Sequence, residues 1–272
     1  MTEFDSSVLK SLYKPSVASH KAQNGKVLLI GGSSLFHAAS LWSLQIASRI
    51  VDMVFYASVD ENNEIVHEAK KEFRNGIVVR RDDIENYIKE ADSILIGPGM
   101  MRTDEPLKPT EDYDLRDLSE LKEIEDEGIQ AFYLTKYLLK KYPDKKWVVD
   151  AGALQMMRPE WLSGLTQNPI LTPHKGEFER LFGGSLSDDN KENIEMVSKK
   201  AKEFNCIILV KGVEDIVASK DKTVLIAGGN SGMTKGGTGD VLAGLTAALY
   251  AKNDAWLSAT AASYINKKAG DS

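Results

Sequence analysis

The chain has one cysteine in 272 residues, Cys206, and only four histidines. A single cysteine forms no disulfide within the chain and supports no cysteine-based zinc cluster. That usage fits a reducing compartment, and the expectation is a cytoplasmic protein. No apolar run approaches membrane-spanning length, and the first two dozen residues lack a hydrophobic signal core. Cationic excess is absent too: 34 Lys and Arg stand against 40 Asp and Glu, for a net charge of −6. Affinity for nucleic acid rests mainly on cationic contacts to phosphate, so neither a nucleic acid nor a membrane is an expected partner. An acidic chain can still hold a nucleotide, because helix N-termini and backbone amides bind phosphate without net positive charge.

Apolar residues are plentiful, at 42%, enough for one substantial core. Short β-branched or apolar runs read as buried strands at 26–32 ("KVLLIGG"), 52–58, 76–80, 93–99 ("SILIGPG"), 147–152 ("WVVDAG"), 169–173 and 206–210. Amphipathic helical patterns such as "LFHAASLWSLQIASRIV" and "AFYLTKYLLKKY" lie between most of them. This alternation predicts an α/β fold, a largely parallel sheet covered by helices on both faces. After Val210, "DIVAS" and "TVLIAGG" flank "KDK", a hairpin signal at the sheet edge. The chain reads as a single domain over 1–272. Residues 1–24 form an extension, read as a helix packed on a neighbouring surface. Residues 103–128 form an acidic insertion, read as a solvated loop around a short helix.

The densest signal is "TKGGTGDVLAG", residues 234–244. Apolar Val241, Leu245, Ala248 and Leu249 share one helical face, which places a helix start at about Gly239 or Asp240. Amides at that start lack intrahelical partners, and glycines let a ligand approach them closely. The result is an anion hole suited to a phosphoryl group. It is not a Walker A loop, because Lys235 precedes the glycines and an aspartate follows them. Asp240 reads in two ways. It can stabilise the first helical turn, or it can act as a general base that takes a proton from a hydroxyl attacking a terminal phosphate.

The segments "VVDAGAL", "LTPHKGEFERLFG", "VKG" and "GNSGMTKGGTGDVLAG", with "IGGSS" and "IGPGM" in order, together resemble the NAD(P)H-hydrate dehydratase family. The resemblance runs from about Gly25 to the C-terminus. It implies a ribokinase-like three-layer α/β/α sandwich. It also implies dehydration of the (S)-hydrate of NADH or NADPH with ADP or ATP as co-substrate, AMP and phosphate being released from ADP. Asp240 would be the catalytic base and would also contact substrate. Lys211, Gly212, Val213, Glu214, Asp215, Gly237, Thr238 and Gly239 would bind nucleotide. Ala38, Gly99 and His174 would bind substrate, although His37 stands where the family commonly has glycine. Asp150, at the end of "WVVD", reads as a further substrate-binding residue, or as one that binds a metal through water or caps the next helix. Asp215 stands where the family usually has threonine. Mg2+ is expected as cofactor; its protein ligands are unknown, with Glu177 a candidate for holding metal-bound water. The resemblance further implies a homo-oligomer, a tetramer, working with a separate epimerase. Two other readings compete: a kinase of a hydroxymethylpyrimidine or hydroxyethylthiazole in the same superfamily, and a nucleotide-sensing protein without chemistry. Retention of Asp240 beside Gly239 argues against the latter.

Overall fold

Most of the apolar runs become strands because they are buried on both faces. The computed structural model describes residues 2–71, 75–104, 113–187 and 190–272. Its strands are β1 (Thr2–Glu3), β2 (Lys26–Ile30), β3 (Met53–Ala57), β4 (Ile77–Val79), β5 (Ser93–Ile96), β6 (Lys146–Val149), β7 (Ile170–Leu171), β8 (Ile207–Val210), β9 (Asp215–Ala218) and β10 (Thr223–Ile226). They form one sheet in the order β1-β10-β9-β8-β7-β6-β5-β2-β3-β4. From β4 to β8 every pairing is parallel, while β9 is antiparallel to both neighbours.

Strand side chains alternate between faces, and the core divides accordingly. Leu28 and Ile30 of β2 face one cluster, and Val27 and Leu29 face the other. The first face is covered by α3 (Ile84–Glu90), α4 (Glu127–Lys141), α5 (Ala151–Met156), α6 (Lys175–Phe182) and α7 (Asn190–Glu203). The second is covered by α1 (Ala38–Ala47), α2 (Asp60–Ala69), α8 (Thr238–Tyr250) and α9 (Ala255–Gly270). Every residue of α8 from Leu242 onward is buried, so this helix is apolar nearly all round. A Cβ on Gly244 would lie 2.6 Å from the carbonyl of Ser43, which shows how closely α1 crosses it. The Ser43 hydroxyl donates to the carbonyl of Asp240 at 2.7 Å, tying α1 to the first turn of α8.

Three expectations need correction. The N-terminal segment is not a helix: it forms β1, then a 3-10 turn over Ser6–Ser11, with Phe4, Leu9 and Leu12 packed on this chain's own core. The β9–β10 hairpin is not at the sheet edge, since β1 pairs in parallel with β10 beyond it. The acidic insertion is not simply solvated. Residues 105–112 lie outside the described residues, but Leu115, Leu118 and Leu121 are buried, the last two on a 3-10 turn over Leu118–Glu123. Leucines three apart eclipse in a 3-10 helix and so bury together. Glu127 and Gly128 belong to α4.

The chain runs outward from β2 through β3 to β4, then returns to place β5 on the other side of β2. That reversal opens a crevice at the C-terminal ends of β2 and β5, the usual ligand position in an open α/β sheet.

Candidate active site

Two glycine turns line this crevice. The amide of Gly32 donates to the carbonyl of Pro98 at 2.7 Å, and that of Gly97 donates to Ile30 at 3.0 Å. The turns are close enough that a Cβ on Gly31 would fall 2.4 Å from the Pro98 carbonyl. Gly99 sits in the second turn with φ +73; a Cβ there would stand 3.0 Å from the Phe36 carbonyl and 3.2 Å from Ala39. Ala38, the first residue of α1, is exposed beside it. The structure therefore packs the turn of Gly99 against the start of α1, through Phe36 and Ala39 on either side of Ala38. His37 turns its Nδ1 to Oδ1 of Asn62 at 2.5 Å, and Asn62 donates back to the carbonyls of Ser33 and Phe36.

The charged residues gather further along the same end of the sheet. Asp150 follows β6 and is buried; its Oδ1 accepts from the Thr172 hydroxyl and from the Lys211 ammonium, both at 2.8 Å. A Cβ on Gly97 would lie only 1.8 Å from the Asp150 carbonyl, so glycine is required where the chain presses on this residue. The next residue, Ala151, adopts φ +43. Lys211 extends β8, its amide donating to Pro173 at 2.8 Å, and its ammonium also lies 3.8 Å from Glu177 Oε2. Burial opposes the charge on Lys211, but Asp150 and Glu177 outweigh it and hold the ammonium above its usual range. Burial, then Glu177, push the Asp150 carboxyl up against the pull of Lys211. We take the pair as ionised, because the 2.8 Å contact and the Thr172 hydroxyl both stabilise the carboxylate form.

His174 and Glu177 form a reciprocal capping box at the start of α6. His174 Nδ1 accepts from the Glu177 amide at 3.2 Å, and Glu177 Oε2 accepts from the His174 amide at 2.8 Å. An imidazole accepting through Nδ1 carries its proton on Nε2. Nε2 lies 3.6 Å from Glu177 Oε1, and with the His174 side chain 58% exposed a ligand can still reach the ring. Glu177 is buried, and its other oxygen accepts from Gln155 at 3.0 Å. Capping and ligand binding are thus compatible at His174.

Asp240 is the third residue of α8, after a Gly237 N-cap held at φ +104. Gly239 faces the charged group, since a Cβ there would meet the Lys211 ammonium at 3.4 Å. Burial, then the Asp150 carboxylate, push the Asp240 carboxyl up to about 6, with Lys211 opposing and Glu177 assisting. On the outer side of the same turn, Thr238 and Val241 line a cleft of about 470 Å³ with Trp42, Asn230, Met233 and Lys235. The Trp42 ring lies against Gly237, where a Cβ would fall 2.5 Å from it. The first turn of α8 therefore stands between a cleft of ligand size and a buried charged cluster.

Of the predicted nucleotide segment, Gly212 and Val213 are exposed, but the Asp215 side chain turns inward. It accepts from the Gly212 amide, from Ser263 and from Lys267. Among the described residues no three His, Cys, Asp or Glu side chains converge as a metal site. No helix of the described residues is long and apolar enough to cross a membrane. Sequence reading missed Thr172, Ser43, Trp42 and Lys267. Thr172 lay within the quoted "LTPH"; Trp42 read only as part of an apolar helix face; Lys267 and Ser43 carried no local signal.

The profile of a family described as NAD(P)H-hydrate dehydratase matches residues 27–272. The ADP-dependent (S)-NAD(P)H-hydrate dehydratase of Nitrosopumilus maritimus is 36% identical over 265 residues, covering 93% of this chain and 82% of that protein. The bifunctional NAD(P)H-hydrate repair enzyme Nnr of Methanocaldococcus jannaschii is 35% identical over 266 residues, covering 97% of this chain and 46% of that protein. The chain thus spans about half the length of such bifunctional relatives. In fold it is similar to the ADP/ATP-dependent NAD(P)H-hydrate dehydratase of Bacillus subtilis co-crystallised with ATP/Mg2+, at a TM-score of 0.69 and 22% identity over 96% of this chain and 85% of that one. It is also similar to a ribokinase-like superfamily protein of Enterococcus faecalis, at a TM-score of 0.76 and 21% identity over 99% and 87% of the two chains.

Proposed function

We propose, for a chain that belongs to the NAD(P)H-hydrate dehydratase family, that it removes water from the (S)-hydrate of NADH or NADPH using a nucleoside phosphate, with ADP as the preferred co-substrate. One arrangement carries this reading: the half-buried carboxyl of Asp240 on the amide-rich first turn of α8, whose Gly239 lies beside the ammonium of Lys211, itself paired with Asp150. A carboxylate among anion-binding amides is out of place in a simple phosphate site. It fits a site where a hydroxyl must lose its proton while attacking a phosphoryl group.

In this reading the hydrate lies in the crevice between Ala38 and Gly99, with His174 and Asp150 at its polar end. The nucleotide lies against the 211–214 loop and Gly237–Gly239. Asp240 takes the proton of the ring hydroxyl as its oxygen attacks the terminal phosphorus of ADP, and AMP departs. Amides at the start of α8, with Lys211, balance charge on the transferring oxygens. The C–O bond then breaks toward phosphate, driven by the ring nitrogen's lone pair. Loss of the neighbouring C–H proton restores the dihydronicotinamide. Mg2+ would be held chiefly by the nucleotide phosphates and water, with Glu177 within reach of a metal-bound water, and would neutralise phosphate charge. Among the described residues no three carboxylate, imidazole or thiol groups converge, so the protein would supply at most such an outer contact.

We further propose a cytoplasmic homo-oligomer, a tetramer, that depends on an epimerase activity to use the (R)-hydrate. The test is direct. Purified protein is mixed with NADH hydrate, magnesium and ADP or ATP, and recovery of reduced-nicotinamide absorbance is followed. Recovery with ADP at the higher kcat/KM is expected. No recovery with either nucleotide, alongside phosphorylation of a thiamine precursor, would overturn the reading in favour of a kinase.

A further inference from the structure

The loop after β8 is held from behind by a buried ion pair. Lys267, from the last turns of α9, lies 3.2 Å from Asp215 Oδ1 and donates to the carbonyls of Gly212 at 2.6 Å and Val213 at 2.8 Å. Asp215 completes the clamp, accepting from the Gly212 amide at 3.0 Å through Oδ1 and from the Ser263 hydroxyl at 2.8 Å through Oδ2. Lys267 is 5% exposed and Asp215 3%. Neither touches the ligand space, yet between them they engage three backbone groups of a two-residue turn.

We infer that Asp215 and Lys267 are a positioning pair that shapes the 211–214 loop to receive a phosphate of the nucleotide. The inference rests on the nucleotide-dependent reading above. In a trans peptide the N–H points opposite to the C=O. Lys267 draws the Gly212 and Val213 carbonyls inward, so the amides that follow them, of Val213 and Glu214, face outward. The outer side is open: Val213 is 92% exposed. Adjacent amides facing one way form an anion-binding concavity. Lys211, the residue before this turn, places its ammonium beside Gly239. Through Lys211 the loop thus adjoins the first turn of α8. A buried charge pair is seldom the most stable filling of its volume, and one that fixes two carbonyls of a ligand loop has a reason to be retained.

The experiment uses Lys267→Met and the double variant Asp215→Thr/Lys267→Met in the full chain. Lys267→Met leaves Asp215 buried and unpaired, so a fall of roughly 10 °C in Tm is expected. The double variant removes the stranded charge, and threonine can still accept the Gly212 amide, so most of that Tm should return. KM for ADP, measured well below either Tm, should rise about tenfold in both variants, because neither holds the two carbonyls. KM for the hydrate should stay within twofold. Recovery of the ADP KM together with Tm in the double variant would overturn the positioning role and leave only a stabilising one. An ADP KM within twofold of wild type in Lys267→Met would overturn it as well. If the wild-type chain itself binds no ADP by calorimetry, the nucleotide-dependent reading fails first, and this inference with it.

Discussion

Asp240→Asn should stabilise the fold while abolishing turnover, and the gain should depend on pH. The Asp240 carboxyl is pushed from an ordinary 3.8 up to about 6, mainly by burial and then by Asp150. The folded state therefore binds this proton more tightly than the unfolded chain does. The resulting stability is fully present below pH 3.8, declines as pH rises, and is gone above about 6. Two units correspond to about 3 kcal/mol at most, at 1.36 kcal/mol per unit. Asparagine has nearly the same shape and no charge, so the variant escapes this cost. At pH 8 its Tm should exceed that of wild type by roughly 5–10 °C, given about 2–4 °C per kcal/mol for a chain of this size. At pH 4 the two should melt together. Turnover needs the ionised form, so wild-type kcat/KM should fall tenfold per unit below about pH 6, by a single proton. Melting curves from pH 4 to 8 and an initial-rate profile test both halves. A stability difference independent of pH, or an acidic limb near pH 4, would refute a poised Asp240.

Two further outcomes probe its surroundings. Gly97→Ala would put a methyl 1.8 Å from the Asp150 carbonyl at φ +123; the backbone must part by roughly 1 Å, a displacement that costs about 10²-fold in rate at an active site. A folded variant with kcat/KM within threefold of wild type would show that the placement of Asp150 is unimportant. Lys211→Met removes the cation that holds the Asp240 carboxyl down, so the acidic limb of the pH–rate profile should move to higher pH; a limb that stays put or moves lower would contradict the electrostatics described here.

The parallel strands were legible because β2, β5, β6 and β8 are apolar at consecutive positions, a pattern that only a sheet covered on both faces explains. The helix start at "GGTGD" was legible to within two residues for a similar reason, glycines giving way to a 3.6-residue apolar period. The N-terminal strand was not legible: Thr2 and Glu3 pair with Val224 and Leu225, 222 positions away, and two residues carry no period. Leu115, Leu118 and Leu121 were hidden by the acids around them, which dominate the composition of that segment. In the candidate site, Asp150, His174, Lys211 and Asp240 stand at strand or helix ends where motifs mark them. The partners that fix them come from elsewhere. Thr172 lies 22 positions from Asp150, and Ser43 lies 197 from Asp240. Lys267 lies 54 or more positions from the carbonyls it holds. Contacts at such separations leave no trace in local pattern.

The choice between the two sequence readings of Asp240 turns on sign. As an acid in the first turn of α8, interacting favourably with the helix dipole, it would gain about 0.3–1 kcal/mol in its ionised form. Its affinity for a proton would then fall below the ordinary value. Such an interaction is present: although the N-cap of α8 is Gly237, which offers no side-chain cap, the Asp240 carboxylate accepts from its own backbone amide, which favours the ionised form. The balance found here has the opposite sign and a larger size. Burial and the carboxylates Asp150 and Glu177 outweigh the helix start and Lys211 together, leaving a carboxyl that titrates near 6. An acid placed to stabilise a helix has no use for two more carboxylates in the same pocket. An acid that must hold a proton after taking it does, because those neighbours raise its basicity while Lys211 keeps it ionised at neutral pH. On the proposed reading, the same cluster that makes Asp240 costly to the fold is what would fit it to accept a hydroxyl proton during phosphoryl transfer.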